Sequence, residues 1–201
     1  MRRFAAARIV RSLAPVAVAL ALAGAGAARA GTMDDLAITE AAATMPPGKF
    51  LWADDPARGG AVSVLISLPD QRAYVFRGEK MIAASAVSTG RDDNPTPLGR
   101  FTILQKKAMH RSNLYDDAPM PYMQRLTWDG VALHAGRNPG FPASHGCVRL
   151  PAAFAKKLFD ATALGATVEV TDEAYVAGAA MEPGGGSGGL DGGGGAELAR
   201  R

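Results

Sequence analysis

From about Ala61 to Asp172 the chain is a succession of short apolar or alternating runs broken by turn residues, and this limits the fold more than any other feature. Runs of this length suit strands rather than helices. Ala61 to Leu68 is nearly continuous in apolar character, and Leu68-Pro69-Asp70-Gln71 places proline where a turn wants a fixed φ. Tyr74 and Phe76 then alternate with Ala73 and Val75. Met81 to Ser88, Gly99 to Leu104, Val131 to His134 and Thr167 to Thr171 read as further strands; in the last, Val168 and Val170 face one way and Glu169 the other. The domain is expected to be mainly β.

One helix is expected within it. Pro151 suits a first helical turn, Phe154, Ala155, Leu158, Phe159 and Thr162 share a face, and Lys156, Lys157 and Asp160 lie opposite. Gly165 can end it. Leu150 is a poor N-cap, so the first amides need a partner from elsewhere or water.

A length of 201 residues leaves room for one domain with tails. Residues 1–30 carry Arg2, Arg3, Arg8, Arg11 and Arg29 and no acid; Ser12 to Ala28 is uncharged and rich in Ala, Leu and Val, and Ala28-Arg29-Ala30 has small residues where a signal peptidase reads. The segment is expected to be an export signal cut before Gly31. A membrane anchor is the alternative, but a span needs about 20 apolar residues, and Pro15, Gly24 and Gly26 interrupt this one. No stable membrane span is expected after cleavage, and the mature protein belongs in the periplasm or cell wall. The net charge of +3 comes from this segment: the rest of the chain has 17 basic residues against 19 acidic. A nucleic-acid partner therefore has no electrostatic footprint.

Residues 31–60 mix acids, Ala and Pro without a sustained period and are expected to form a loosely packed leader, anchored by Trp52. Residues 61–172 are expected to form the one folded domain. Residues 173–201 are read as a disordered tail, since Glu182 to Arg201 holds nine of the chain's 24 glycines.

The chain has a single cysteine, Cys147. In an exported protein it is an inert core residue, a partner for another molecule, or a reactive group. Two of the three histidines precede it closely, in His134-Ala-Gly-Arg-Asn-Pro-Gly-Phe-Pro-Ala-Ser144-His145-Gly146-Cys147-Val148-Arg149. On a strand from Val131 to His134, Ala132 and His134 point away from Val131 and Leu133, toward a cleft or solvent. Asn138-Pro139-Gly140 and Pro142 force turns that fold the chain back toward His134. In an extended backbone His145 and Cys147 also share a face. A thiol with a free pKa of about 8.5 is a weak nucleophile at neutral pH unless an imidazole takes its proton, and either His134 or His145 meets that need. Gly146 permits close approach of substrate, and the amides around Cys147 offer an oxyanion site. The rival reading is a soft metal site of His134, His145 and Cys147, although the His-Gly-Cys spacing is tight for two ligands on one ion.

His134-Ala-Gly followed by Ser144-His-Gly-Cys-Val-Arg149 closely resembles the signature of L,D-transpeptidases of the YkuD type. The likeness extends to Val87-Ser88-Thr89-Gly90, Thr96-Pro97-Leu98-Gly99-Arg100-Phe101 and Met120-Pro-Tyr-Met123, covering about Ala61 to Asp172. It implies a β-sandwich or mixed-sheet catalytic domain with one helix after the cysteine motif. It further implies Cys147 as nucleophile, His134 as base, and the Ala135 main-chain carbonyl as the group that orients the imidazole. Ser144, His145 and Gly146 would shape the oxyanion pocket and the wall beside the thiol, and Arg149 would bind a substrate carboxylate.

The implied substrates are peptidoglycan stem peptides, acylated at the third residue with loss of the fourth D-alanine, and no metal or organic cofactor is needed. The thioester would pass to an amine of another stem or to a lysine of an envelope protein, and carbapenems would acylate the same sulfur. A carboxypeptidase or other hydrolase with the same residues, and a wall-binding protein without turnover, are the alternatives. Met109, Tyr115, Met120, Tyr122 and Met123, around Pro119 and Pro121, form either a lid or a core-covering loop. His110, in the stretch Lys106 to Arg111, reads as part of a solvated basic face, and Trp52 and Trp128 as packing anchors.

Overall fold

The alternating runs become two sheets. The computed structural model describes residues 26–54, 59–112 and 117–177; the expected export signal up to residue 25, Tyr115 and the glycine-rich segment beyond 177 lie outside the described residues. In chain order the elements are α1 Gly26–Ala43, β1 Phe50–Trp52, β2 Val62–Ser67, β3 Arg72–Arg77, β4 Lys80–Ala86, β5 Gly99–Thr102, β6 Gln105–Lys107, β7 Met123–Arg125, β8 Ala132–Ala135, β9 Val148–Leu150, α2 Ala152–Ala161 and β10 Thr167–Thr171. The larger sheet has the order β1-β4-β3-β2-β10-β5 and the smaller β6-β7-β8-β9. Two pairings are parallel, β2 with β10 and β8 with β9.

Period-2 geometry sorts the apolar residues of the larger sheet onto two faces. Val62, Val64 and Ile66 of β2 and Ala73 and Val75 of β3 join Leu133, Ala135, Val148 and Leu150 of the smaller sheet and Phe154, Ala155 and Leu158 of α2 in the main core. Leu65, Tyr74, Phe76, Met81, Ala84 and Ala86 face the other way and bury Ala42 and Met45, with Ile38 packed alongside. Both faces are therefore covered, which is why the β2 run reads as continuously apolar rather than alternating. A register shift between Val75 and Phe76 lets Ile82 and Ala83 both reach the main core.

The second layer corrects the reading of residues 31–60 as a loosely packed leader. α1 lies in that segment and extends N-terminally through the expected cleavage point, and β1 pairs with β4. Arg72 explains the order: its guanidinium donates to the carbonyls of Ala42 (2.7 Å) and Met45 (2.8 Å), satisfying acceptors at the helix end that lack intrahelical partners. Trp52 does anchor its segment, packing edge-on against Phe154 with ring centroids 5.5 Å apart. The one helix expected within residues 61–172 is α2, and α1 lies outside that span. Among the described residues, no helix is long and apolar enough to cross a membrane.

The second helix falls where expected and stops earlier. Pro151 is its N-cap, without a side-chain cap. Thr162 replaces Gly165 as the C-terminal stop, because its hydroxyl donates back to the Leu158 carbonyl (2.7 Å) and lies 2.7 Å from Gln124 Oε1. Lys106 closes the same end, with its ammonium 2.5 Å from the Phe159 carbonyl and 2.6 Å from that of Thr162. Lys106 is therefore no member of a solvated basic face, and burial pulls its pKa down.

Candidate active site

The smaller sheet decides where the chemistry-bearing residues meet. In the parallel β8–β9 pair, Leu133 registers with Val148, His134 with Arg149 and Ala135 with Leu150. Leu133, Ala135, Val148 and Leu150 all enter the core, so His134 and Arg149 occupy the opposite face. Extending that register by one residue sets Cys147 beside Ala132, and these two cluster with Met120 and Met123. His134 on β8 and Cys147, just before β9, are thus diagonal neighbours on one face of the sheet. Both line a cleft of about 590 Å³ shared with Ser112, Met120, Gly130, Arg137, Ser144, His145 and Arg149.

His134 is only 8% exposed, and its Nδ1 lies 2.8 Å from the Ala135 carbonyl. A carbonyl has no proton to give, so Nδ1 carries the hydrogen and Nε2 keeps its lone pair. Burial holds the imidazole pKa below the usual value, and the charges of Arg149 and His110 push the same way; only the Ala135 hydrogen bond opposes them. Burial also pushes the Cys147 thiol up, against the Ala132 amide and the charges of Arg149 and Arg125, which favour thiolate. The thiol lies 3.4 Å from the Gly130 carbonyl, an acceptor that suits the protonated form. Both shifts favour the neutral thiol and the neutral imidazole over an ion pair.

The cysteine sits in a turn rather than an extended segment, so the shared-face argument for His145 does not apply. Gly146 adopts φ +110°, and a Cβ there would meet nothing closer than 3.8 Å, so backbone conformation rather than crowding calls for glycine. Ser144 ties the turn: its hydroxyl donates to the Cys147 carbonyl at 2.5 Å and accepts the Gly146 amide at 3.1 Å. The Gly146 amide is thereby committed and does not serve the oxyanion role expected of the amides around Cys147. His145 is exposed and still lines the cleft. Among the described residues no group of three or more His, Cys, Asp or Glu side chains is placed to hold a metal ion.

Several residues behave differently from their sequence reading. Met120 and Pro119 line the cleft, whereas Tyr122 packs on the main core and Met109 is 81% exposed. Trp128 is no packing anchor: it is 72% exposed, with the Arg125 guanidinium 5.8 Å from its ring centroid. Arg111 is paired with Asp117 at 3.0 Å. Sequence reasoning missed Gly136 as a support for Arg149. A Cβ there would sit 3.0 to 3.3 Å from Cγ, Cβ and Cδ of Arg149, whose stem lies across it.

The family model for the YkuD L,D-transpeptidase catalytic domain matches residues 61–170. The chain belongs to this family. L,D-transpeptidase 1 of Mycobacterium tuberculosis is 27% identical over 131 residues, a match covering 56% of this chain and 51% of that protein. The chain thus spans about half the length of the curated relatives it matches. Among solved structures, the L,D-transpeptidase from Stackebrandtia nassauensis is similar at 27% identity and TM-score 0.52, covering 70% of this chain and 66% of that one. The LD transpeptidase LdtMt1 in complex with imipenem is similar at 26% identity and TM-score 0.52, covering 56% and 60%. The YkuD match takes in the smaller sheet, the larger sheet apart from β1, and the cleft, and L,D-transpeptidases are acyltransferases.

Proposed function

We propose that this chain is an exported, cysteine-dependent L,D-transpeptidase acting on peptidoglycan stem peptides. The observation that carries the reading is the pairing of His134, its Nδ1 held by the Ala135 carbonyl, with Cys147 on the same cleft wall. His134 Nε2 takes the thiol proton as Cys147 Sγ attacks the carbonyl carbon of the third stem residue. The bond to the fourth D-alanine breaks, and the departing nitrogen takes that proton from His134. The resulting thioester accepts an amine of a second stem or of an envelope-protein lysine. The amine gives its proton to His134, the carbon–sulfur bond breaks, and the sulfur recovers the proton.

Burial raises the thiol and lowers the imidazole, so both directions favour the neutral forms ahead of attack. The cleft lining suits the substrate class. It contains the guanidinium groups of Arg137 and Arg149 and no Asp or Glu among its described residues, an arrangement that favours ligands bearing carboxylates. Arg149 lines the cleft from the strand position registered with His134.

Incubation of the purified chain with tetrapeptide-containing muropeptides tests the reading. Crosslinked dimers are the expected product. Tripeptides alone would make the protein a carboxypeptidase, and unchanged muropeptides would make it a binding protein.

A further inference from the structure

We infer that Thr96 is a positioning residue that aims the Cys147 amide at the developing oxyanion. The inference rests on the reading of Cys147 as the nucleophile. Thr96 is 2% exposed, and its hydroxyl has both of its roles filled: it donates to the Gly146 carbonyl at 2.9 Å and accepts the Gly90 amide at 2.8 Å. The Gly146 carbonyl and the Cys147 amide belong to one planar trans peptide, so they point to opposite sides. Anchoring the carbonyl on the buried side turns the Cys147 N–H away from Thr96. Among the described residues that N–H has no backbone or side-chain acceptor, while the neighbouring Gly146 amide is already given to Ser144.

The approach of Thr96 is built into the chain around it. A Cβ on Gly90 would fall 2.2 Å from the Asn94 carbonyl oxygen and 2.5 Å from the Thr96 amide, so only glycine lets the 91–95 turn close and deliver the hydroxyl. The same strand end clamps the cysteine loop at further points, through Ala143 and Ser144 amides on the Thr89 carbonyl (3.0 Å each) and the Arg91 amide on the Ser144 carbonyl (3.1 Å). Those bonds hold the loop in place. The Thr96 bond is the one that sets the rotation of the peptide at the nucleophile.

Acylation by a carbapenem needs an oxyanion donor, whereas alkylation by iodoacetamide needs only the sulfur. Thr96→Val and the smaller Thr96→Ala remove the hydroxyl, and Thr96→Ser keeps it. We expect Val and Ala to slow acylation of Cys147 by about 100-fold, the scale of losing one oxyanion donor, with alkylation within about threefold of wild type. Ser should retain acylation within the same about threefold margin. Wild-type acylation rates in both Val and Ala, equal losses of acylation and alkylation, or a Ser variant as slow as Ala would each overturn the assignment. If Val does not fold, Ala and Ser alone decide it. A wild type that is alkylated at Cys147 but never acylated would instead overturn the transpeptidase reading.

Discussion

The two halves of the site are held in different ways. His134 lies inside a strand, between β7 and β9, and its ring is fixed by the carbonyl of the very next residue. Cys147 lies on a turn just before β9, and that turn is shaped by groups far away in sequence: Thr96 on the Gly146 carbonyl, Thr89 on the Ala143 and Ser144 amides, and Ser88 bridging Arg149. The position of His134 is a product of local strand geometry, and that of Cys147 of tertiary clamping. Rearrangement of the clamps therefore moves the sulfur while leaving the imidazole where it is.

The largest effect on this comparison comes from its simpler half. His134→Ala removes the proton acceptor without touching the cysteine turn, and Cys147 acylation at neutral pH should fall by about 10²- to 10⁴-fold. Equal rates for variant and wild type would assign the base elsewhere, with His145 as the exposed alternative in the cleft. His145→Ala should give only a partial loss.

The pH dependence of Cys147 alkylation sharpens the same point. Burial raises the thiol pKa above its ordinary value and lowers that of His134 below its own. Thiolate is then the minor form throughout the neutral range, so the iodoacetamide rate should climb about tenfold per pH unit from pH 7 to 9. With His134 as the proposed base, acylation should fall as acid carries the solution through an imidazole pKa that lies below the ordinary 6.5. An alkylation rate that is flat from pH 6 to 8 would show a preformed thiolate–imidazolium pair instead.

On the clamped side, Ser144→Ala frees the Gly146 amide and the Cys147 carbonyl together. Acylation should drop by about tenfold, and stability by about 1–3 kcal/mol for the buried groups left unpaired, as read by denaturant unfolding. The smallest effect is expected at Gly136→Ala. The added methyl group displaces the Arg149 stem, so KM for a carboxylate-bearing stem should rise about threefold with kcat nearly unchanged, the pattern of lost uniform binding. A fall in kcat at constant KM would mean that Arg149 acts on the reacting groups rather than on substrate binding.

The cleft position of His134 was readable in the sequence because strand alternation is a local property: Val131 to His134 already separated core from cleft positions, and the structure keeps that separation. The cleft residues Ser144 to Cys147 were readable as a motif, but not their conformation, since Gly146 breaks the extended geometry at φ +110°. β6, β7 and β9 escaped notice because three residues such as Gln105-Lys-Lys or Val148-Arg-Leu carry no period of their own and exist as strands through their neighbours. α1 escaped for a related reason. Its hold on the sheet depends on Arg72, about thirty residues away, donating to carbonyls at its end. Thr96 was visible only as part of a resemblance; its bond to Gly146 spans 50 residues and leaves no local trace.

The most direct test of the central claim, that Cys147 is the nucleophile, is intact-protein mass after exposure to a carbapenem. The account expects one covalent adduct on the wild-type chain and none on Cys147→Ala. An adduct of equal yield on both proteins, or an unmodified wild type whose Cys147 is still alkylated by iodoacetamide, would contradict it.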